Sequence, residues 1–342
     1  MLTAADARWE NEGGALEGGE PSDLSRGDFS FAPEPPFRLD LSVWALRRRP
    51  GNTVDRWDGT SYRRALALID APVGFSVTRA GSREVPDLAV ALTGRVIGRH
   101  VEKEVRASIE RMLGIHVDLS SFYRMADGDS MIGPLVARFR GLKPPRFPTV
   151  FESLINAVAC QQLSLEAGLS LLNRLAKAHG QAVSAGATSL HAFPDAEDLA
   201  GLERQALRKL GFSLRKAATV IELSRAVVGG LLNLESLERL ADDEVVARLT
   251  SLSGIGRWSA EYVLLRGLGR LHIFPGDDVG ARNNLARWLD LEPPLDYRAV
   301  GQAVSRWQPY AGMVYFHLLL DGLAEMGQLD GPRGSQGRET ST

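Results

Sequence analysis

Two helical segments joined by a tight glycine turn, within residues 240–282, constrain the fold of this chain more than any other feature. The acidic run Asp242-Asp243-Glu244 favours a first helical turn, where carboxylates face the positive end of the helix dipole. Gly254-Ile255-Gly256 then ends that helix, because glycine adopts backbone angles that other residues resist and leaves its amide uncovered. A second helix begins at Arg257, and its free N–H groups can bind a phosphate without any lysine.

Three structures are compatible with this glycine turn. A dinucleotide-binding loop of the form Gly-x-Gly-x-x-Gly would need a glycine in place of Ser259, and a strand rather than a helix before it. A plain helical hairpin inside a core needs no ligand. The third structure is a helix-hairpin-helix module that holds the backbone of DNA through its amides. On spacing alone, the second and third remain open.

The wider motif resembles the helix-hairpin-helix (HhH-GPD) DNA glycosylase superfamily. The resemblance is carried by residues 252–260, Leu-Ser-Gly-Ile-Gly-Arg-Trp-Ser-Ala, followed by residues 274–278, Phe-Pro-Gly-Asp-Asp. It covers residues 145–325, and the branch to which the chain is most similar is the AlkA-like 3-methyladenine DNA glycosylase II group. The resemblance implies an α+β protein, in which a small antiparallel α+β domain precedes an all-helical HhH-GPD body of two helical subdomains.

Composition limits the alternatives. A chain of 342 residues that is 44% hydrophobic can bury the cores of two domains. Its single cysteine, Cys160, excludes an internal disulfide and a four-cysteine zinc or iron–sulfur site, so the cluster that some relatives carry is not expected. No apolar run reaches membrane-spanning length, and the N-terminus lacks a signal-peptide pattern. We therefore expect a cytoplasmic protein with no membrane partner.

The net charge of −2 is a poor match to a DNA-binding protein, but the acidic residues are unevenly placed. Residues 1–36 contain eight acidic residues and only two basic ones, so the rest of the chain carries a net charge of +4. This distribution weakly favours a polyanionic partner.

Local patterns divide the chain into four segments. Residues 1–36 are rich in Gly, Glu and Pro and are predicted to be a disordered acidic tail, and residues 328–342 form a similar C-terminal tail. Residues 37–142 alternate short apolar runs with turn residues before turning helical, which is typical of a small α+β domain. Residues 143–327 form the helical body.

The alternating runs of the first domain predict strands, and helices follow them. Strands are expected at residues 37–41, 61–62, 66–69, 74–78 and 85–92, and helices at 98–113 and 121–127. We interpret Arg47-Arg48-Arg49 and Arg63-Arg64 as solvated surface rather than as DNA contacts. At the start of the body, Thr149 and Glu152 have the spacing of a capping box.

The resemblance also assigns residues to DNA contact. Residues 151–164 are similar to a helix pair of the family whose Gln-x-x-Ser turn probes DNA where a base has been extruded, which places Gln162 at the wedge position; the alternative is a polar helix junction. Lys216 either meets a phosphate or is an exposed lysine in a first helical turn. The family's hairpin contacts the DNA backbone, with a monovalent cation bound in some relatives, and the corresponding residues here are Gly254, Ile255, Gly256 and Arg257.

Asp278 is the candidate catalytic residue. An N-glycosidic bond breaks through a sugar with oxocarbenium character, so a fixed carboxylate beside C1′ stabilises the positive charge that develops there. Asp278 follows Gly256 by 22 residues, a separation similar to that of the family's catalytic aspartate, and it stands at the start of a helix. The alternative is an ordinary N-cap aspartate. Asp277 is the rival within the pair, more suited to a capping or supporting role.

Trp258 determines the expected reaction type. Bifunctional relatives have a lysine here that forms a Schiff base with the sugar, and an indole cannot do so. Trp258 and Tyr262 share one helix face and could stack on an extruded cationic purine, or they could be part of a core stripe. An aromatic residue of the AlkA-like pocket is replaced by Leu319, for which Trp307, Tyr310 or Tyr315 could compensate.

The sequence therefore predicts a monofunctional DNA glycosylase that flips out alkylated purines, such as 3-methyl purines, from damaged double-stranded DNA and hydrolyses their N-glycosidic bond. Asp278 is expected to stabilise the oxocarbenium ion and to activate water. The protein is expected to act as a monomer and without a metal or cofactor. A non-catalytic helix-hairpin-helix protein that binds distorted duplex is the second hypothesis. A nuclease that uses Asp277 and Asp278 with a metal ion is the third.

Overall fold

The computed structural model of this protein describes residues 28–329, except residues 69–70, 96 and 186–187. Five antiparallel strands form a sheet in the order β1-β5-β4-β3-β2. They are β1 Asp28–Phe31, β2 Arg56–Trp57, β3 Ser61–Leu66, β4 Val73–Arg79 and β5 Leu88–Thr93. Leu88, Val90 and Leu92 are buried while Ala89 and Ala91 are exposed, so one face of the sheet covers a core.

Fourteen α-helices lie in the described part of the chain. They are α1 Leu39–Arg47, α2 Arg99–Leu113, α3 Ser120–Asp127, α4 Gly133–Arg138, α5 Val150–Cys160, α6 Leu165–His179, α7 Ala196–Ala200, α8 Arg204–Lys209, α9 Leu214–Val228, α10 Asp242–Thr250, α11 Arg257–Arg266, α12 Val279–Trp288, α13 Tyr297–Val304 and α14 Ala311–Glu325. Two short strands, β6 Ala182–Ala185 and β7 Thr188–His191, lie between α6 and α7. None of the described helices is long and apolar enough to cross a membrane.

The strand predicted at residues 37–41 is wrong, because these residues lead into α1. Leu39 and Val43 of α1 pack into the core beneath the sheet, whereas Leu41 and Trp44 pack into a second core among the helices. A helix that is buried on two sides has no polar face, so it does not show the one-sided apolar stripe by which helices are recognised in a sequence.

Two other predictions need correction. Residues 28–31 form β1, which pairs with β5, so the predicted N-terminal tail extends too far along the chain. Residues 1–27 and 330–342 lie outside the described residues. The helical body is not all-helical, because it contains the β6–β7 hairpin, whose Val183 and Leu190 pack against Ala65 of the sheet.

Two helical cores flank the site described below. One contains residues of α5, α6, α9, α10 and α11. The other contains residues of α3, α4 and α12–α14 together with the buried face of α1. The two helical subdomains are therefore present, but the second draws on helices from both sides of the boundary predicted at residue 142.

A buried ion network joins the sheet to the helical body. The Arg64 guanidinium, on β3, donates to Asp55 at 2.5 Å and to Glu152 at the start of α5, and all three residues are buried. The hydroxyl of Tyr62 donates to Asp55 at 2.7 Å. Thr149 caps α5 as predicted, but the Glu152 carboxylate pairs with Arg64 instead of closing a capping box. Arg64 is thus a structural residue and not solvated surface.

Replacing Arg64 with methionine is expected to destabilise the protein by about 3–5 kcal/mol, because two buried carboxylates lose their counter-charge. Arg63→Met is the control, since the Arg63–Asp58 pair is exposed and is expected to contribute under about 1 kcal/mol. Urea denaturation of the two variants tests this. Equal stability of the two variants would show that the buried network does not hold the two parts of the fold together.

Because His317 is buried, the free energy of unfolding is expected to depend on pH. Burial on α14 lowers the pKa of His317 to about 4, against the bond that its Nδ1 makes to the Met313 carbonyl at 2.7 Å. Below about pH 6.5, His317 therefore binds a proton in the unfolded chain but stays neutral in the folded chain. The free energy of unfolding consequently falls as the pH drops towards 4. Between pH 7.5 and 5, the native protein should lose about 2 kcal/mol more than His317→Gln in urea denaturation. A parallel loss in both proteins would contradict this.

Candidate active site

The glycine hairpin is fixed by packing as well as by its backbone. Gly254 has a φ of 84°, and a Cβ at this position would lie 2.1 Å from Oγ1 of Thr219 on α9. Gly256, which precedes α11, has an ordinary φ of −105°, and a Cβ there would meet no atom of the described residues within 4 Å. Gly254 is thus required by the fold, whereas Gly256 leaves the backbone open to an approaching ligand. Ile255 between them is buried, and Arg257 is exposed with its guanidinium over the Tyr297 ring.

Gln161 ties the α5–α6 turn to this hairpin. Its Nε2 donates to the Gly254 carbonyl and to the Ser259 hydroxyl, both at 2.9 Å. The next residue, Gln162, is exposed and has a φ of 53°, beside the exposed Leu163. The structure therefore brings the predicted wedge residue onto a surface turn that is held against the hairpin. Sequence reasoning named Gln162 but missed the anchoring role of Gln161.

Lys216 supports the same turn by donating hydrogen bonds to its backbone carbonyls. Its ammonium donates to the carbonyls of Ala159 and Gln161, at 2.8 and 2.7 Å, where α5 ends. A cation at a helix C-terminus is stabilised by the helix dipole and by unpaired carbonyls. Lys216 is therefore not a freely exposed lysine, and a phosphate contact for it stays a prediction.

Asp278 is held by three donors. It caps α12, because Oδ1 accepts from the amide of Ala281 at 2.9 Å. Its Oδ2 accepts from the indole N–H of Trp258 at 3.4 Å and from the hydroxyl of Tyr315 at 3.3 Å. Asp278 is only partly buried, so the carboxylate is fixed in position and still reachable.

The loop that delivers Asp278 is anchored to α11. Glu261 accepts from the amide of Gly276 at 3.1 Å and from the hydroxyl of Tyr297 at 2.6 Å. Burial raises the pKa of Glu261, while these two hydrogen bonds oppose that rise. Phe274, in the same loop, packs edge-on against Tyr315. The structure thus gives a supporting role to Glu261, a residue that had no signal in the sequence beyond its place on α11.

The two predicted pocket residues are in different environments. The rings of Trp258 and Tyr262 lie 5.5 Å apart at an angle of 37°. Trp258 is half-buried, so it can offer a ring face to a base, whereas Tyr262 is 2% exposed and belongs to the core beneath the sheet. Tyr262 is therefore a buried core residue against which the Trp258 ring packs.

Of the residues considered as a third aromatic partner, only Tyr315 reaches the carboxylate. Trp307 is fully buried and donates to Asp129 at 2.9 Å, and Tyr310 packs against Phe122. Tyr315 is 6% exposed, and its hydroxyl points at Asp278. It could be named as a candidate from the sequence, but its partner could not.

Arg47 and Arg48, like Arg64, are not the solvated surface that the sequence predicted. Arg47 and Arg48 are buried, at 5% and 4% exposure, although the arginine run was interpreted as solvated surface. Arg48 donates to the hydroxyl of Tyr262 at 2.8 Å, so the N-terminal domain supplies a cation to the site. In the described part of the chain, no group of three His, Cys, Asp or Glu side chains is arranged to hold a metal ion.

Comparison with known proteins connects this geometry to a family. Residues 155–309 match the profile of the HhH-GPD superfamily of base excision DNA repair proteins. The Bacillus subtilis protein YfjP, provisionally named a DNA-3-methyladenine glycosylase, is 34% identical over 291 residues, which are 83% of this chain and 95% of that protein. The chain belongs to the HhH-GPD superfamily.

Solved structures agree with this membership. A 3-methyladenine DNA glycosylase from Archaeoglobus fulgidus is 26% identical, with a TM-score of 0.75 over 88% of this chain and 100% of that one. A Schizosaccharomyces pombe 3-methyladenine DNA glycosylase, solved with abasic DNA, is 27% identical, with a TM-score of 0.50 over 63% of this chain and 95% of that one. The predicted superfamily and the predicted fold class, a small antiparallel sheet followed by a helical body, are confirmed. The roles of individual site residues stay predictions.

Tyr315→Phe is expected to slow base release by this HhH-GPD protein about threefold to tenfold, because the carboxylate of Asp278 loses one donor worth roughly 1 kcal/mol. Single-turnover release of 7-methylguanine from a duplex measures the effect. Tyr310→Phe is the matched control, since the Tyr310 ring packs against Phe122. This variant should release the base at the native rate. An unchanged rate for Tyr315→Phe would show that this hydroxyl does not support the reaction.

Proposed function

We propose that this chain is a monofunctional DNA glycosylase of base excision repair, which flips an alkylated purine out of double-stranded DNA and hydrolyses its N-glycosidic bond. The half-buried carboxylate of Asp278 carries the proposal, because three donors fix it beside the Trp258 ring. The substrate class is supported by relatives that are named as 3-methyladenine glycosylases.

The proposed reaction depends on one fixed negative charge. As the bond between C1′ and the base breaks, the sugar becomes positively charged, and Asp278 stabilises that charge. The amide of Ala281 and the hydroxyl of Tyr315 keep the carboxylate oriented, so little reorganisation is needed during the reaction. Water then bonds to C1′, the base leaves, and an abasic site remains.

Trp258 supports hydrolysis without strand cleavage. A glycosylase with lyase activity uses an amine that forms an imine with the sugar, and an indole nitrogen cannot do this. Here the indole N–H instead donates to Asp278. Trp258 thus occupies the position of the nucleophilic lysine of a bifunctional relative, and here it supports the carboxylate of Asp278.

The hairpin is the proposed grip on the DNA backbone. The open space at Gly256 lets a phosphate approach the first amides of α11, and the exposed Arg257 lies next to them. Gln162 on the adjoining turn would fill the space left by the extruded base, and Lys216 holds that turn in place.

A monovalent cation also fits the hairpin. The carbonyls of Leu252 and Gly254 accept one hydrogen bond each, from Ile255 and Gln161, and a carbonyl oxygen has a second lone pair for a ligand. Such a cation would lie between the hairpin and a phosphate and would neutralise charge there. We further propose that the enzyme needs no other cofactor and acts as a cytoplasmic monomer on duplex DNA.

Asp278→Asn tests the proposal against a non-catalytic DNA-binding protein. Release of methylated purine should fall roughly 100- to 1,000-fold, because the amide is neutral, while binding to a duplex with an abasic-site analogue should be retained. Asp277→Asn is the neighbouring control and should keep most of the activity. The assay contains a chelator, since a metal-dependent nuclease would instead cut the strand only with Mg²⁺. If Asp278→Asn releases the base at the native rate, the proposed role of the carboxylate is wrong.

A further inference from the structure

Arg48 is a buried cation behind the aromatic pair. It follows α1 with a φ of 64°, a left-handed conformation that is unfavourable for arginine. Its guanidinium donates to the hydroxyl of Tyr262 at 2.8 Å and to the side-chain carbonyl of Asn156 at 2.7 Å. Arg48 is only 4% exposed, and its Nε has no hydrogen-bond partner among the described residues.

The hydrogen bonds of Arg48 go to neutral groups, although two buried carboxylates, Asp55 and Glu152, interact with its charge. An arginine side chain stays protonated in proteins, and burying its charge is costly unless a carboxylate pairs with it. Both groups that accept hydrogen bonds from Arg48 are neutral. Arg48 offsets the buried negative charge of Asp55 and Glu152 without bonding to either. Its hydrogen bond to Tyr262 holds that positive charge against the aromatic pair of the site.

Arg48 and Asp278 are at the two ends of one chain of contacts. Arg48 bonds to the hydroxyl of Tyr262, the Tyr262 ring packs on Trp258 at 5.5 Å, and the Trp258 indole bonds to Asp278. The field of each charge also reaches the same side chains, Tyr262, Tyr315 and Cys160. A base that stacks on Trp258 would therefore feel the negative charge of Asp278 and the positive charge of Arg48. The buried Arg266, whose guanidinium lies 5.7 Å from the Tyr262 ring centroid, adds to the positive charge.

The positive charge affects two kinds of damaged base in opposite ways. A purine methylated on a ring nitrogen is cationic in DNA and leaves as a neutral molecule. The aromatic rings attract such a base by about tenfold in affinity. A guanidinium two rings away, beyond Trp258 and Tyr262, opposes binding by a comparable factor. A deaminated purine such as hypoxanthine is uncharged in DNA and gains negative charge as it leaves, which the guanidinium stabilises.

We propose that Arg48 determines specificity: its buried charge shifts the preference of the enzyme from cationic alkylated purines towards purines that are uncharged in DNA. The inference rests on the proposed hydrolysis of the glycosidic bond. Arg48 does not touch the reacting atoms, so it is a positioning residue that acts through Tyr262 and through its field.

The two reactions differ in where a proton ends. With an uncharged purine, the electron pair of the C1′–N9 bond moves to the purine, the oxygen of water bonds to C1′, and one proton of water ends on the purine. With a cationic purine, the electron pair cancels the existing charge and the proton of water is released to solvent. Only the first reaction places negative charge on the departing base, and only that reaction gains from Arg48.

The test compares two substrates with the full-length chain. Single-turnover release of 7-methylguanine and of hypoxanthine is measured from duplexes of the same sequence, and the ratio of the two rates is the readout. Arg48→Met should raise the ratio in favour of 7-methylguanine about tenfold, because the charge is lost. Arg48→Lys keeps the charge and should restore the native ratio. Arg49→Met is the control, since Arg49 pairs with Glu166, and it should leave the ratio unchanged.

Asn156→Asp gives a second measurement that does not remove Arg48. It places a carboxylate at the oxygen that Arg48 contacts at 2.7 Å, so the guanidinium is neutralised in place and the ratio should shift in the same direction. This variant decides the question if Arg48→Met does not fold.

An unchanged ratio in Arg48→Met or, should that variant not fold, in Asn156→Asp would overturn the inference, and so would an equal loss of both activities, which is what a purely structural role predicts. If the native chain releases neither base, the proposed function itself has failed. If it releases 7-methylguanine but the variants keep the native ratio, only the role of Arg48 has failed.

Discussion

One carboxylate joins three helices at the candidate site. Asp278 starts α12 by accepting from Ala281, and it also accepts from Trp258 on α11 and Tyr315 on α14. Because α11 begins at the glycine hairpin, that helix and the loop behind it set the distance between the hairpin and the carboxylate. Glu261 of α11 fixes the loop through the amide of Gly276. The geometry is therefore built before any DNA arrives, which is the condition for electrostatic stabilisation of a charged transition state.

Features with a local signal were predictable from the sequence. The glycine hairpin, the Thr149 cap and the position of Asp278 at a helix start follow from residue types within a few positions of one another. The helices predicted at 98–113 and 121–127 agree with α2 and α3 to within one residue. The strand predicted at residues 37–41 failed because α1 is covered on two sides, so its pattern shows no polar face.

The contacts that complete the site join residues far apart in the sequence, and no local pattern indicates them. Arg48 and Tyr262 are 214 residues apart, and Arg64 and Glu152 are 88 apart. A run of arginines normally indicates solvated surface. Here Arg47 is buried because backbone carbonyls of Pro50 and Trp57 accept its hydrogen bonds. The small sheet domain is thus part of the active-site architecture, since the segment after α1 extends beneath the aromatic pair.

The two glycines of the hairpin are constrained by different things. Two constraints require glycine at position 254: its φ of 84°, and the Thr219 hydroxyl, which a Cβ at this position would overlap. No described residue restricts Gly256, since its backbone angles are ordinary and a Cβ there would meet none of their atoms within 4 Å. If natural homologues nevertheless keep glycine at this second position, the selective pressure must come from outside the chain, and invariance there would be a record of contact with DNA.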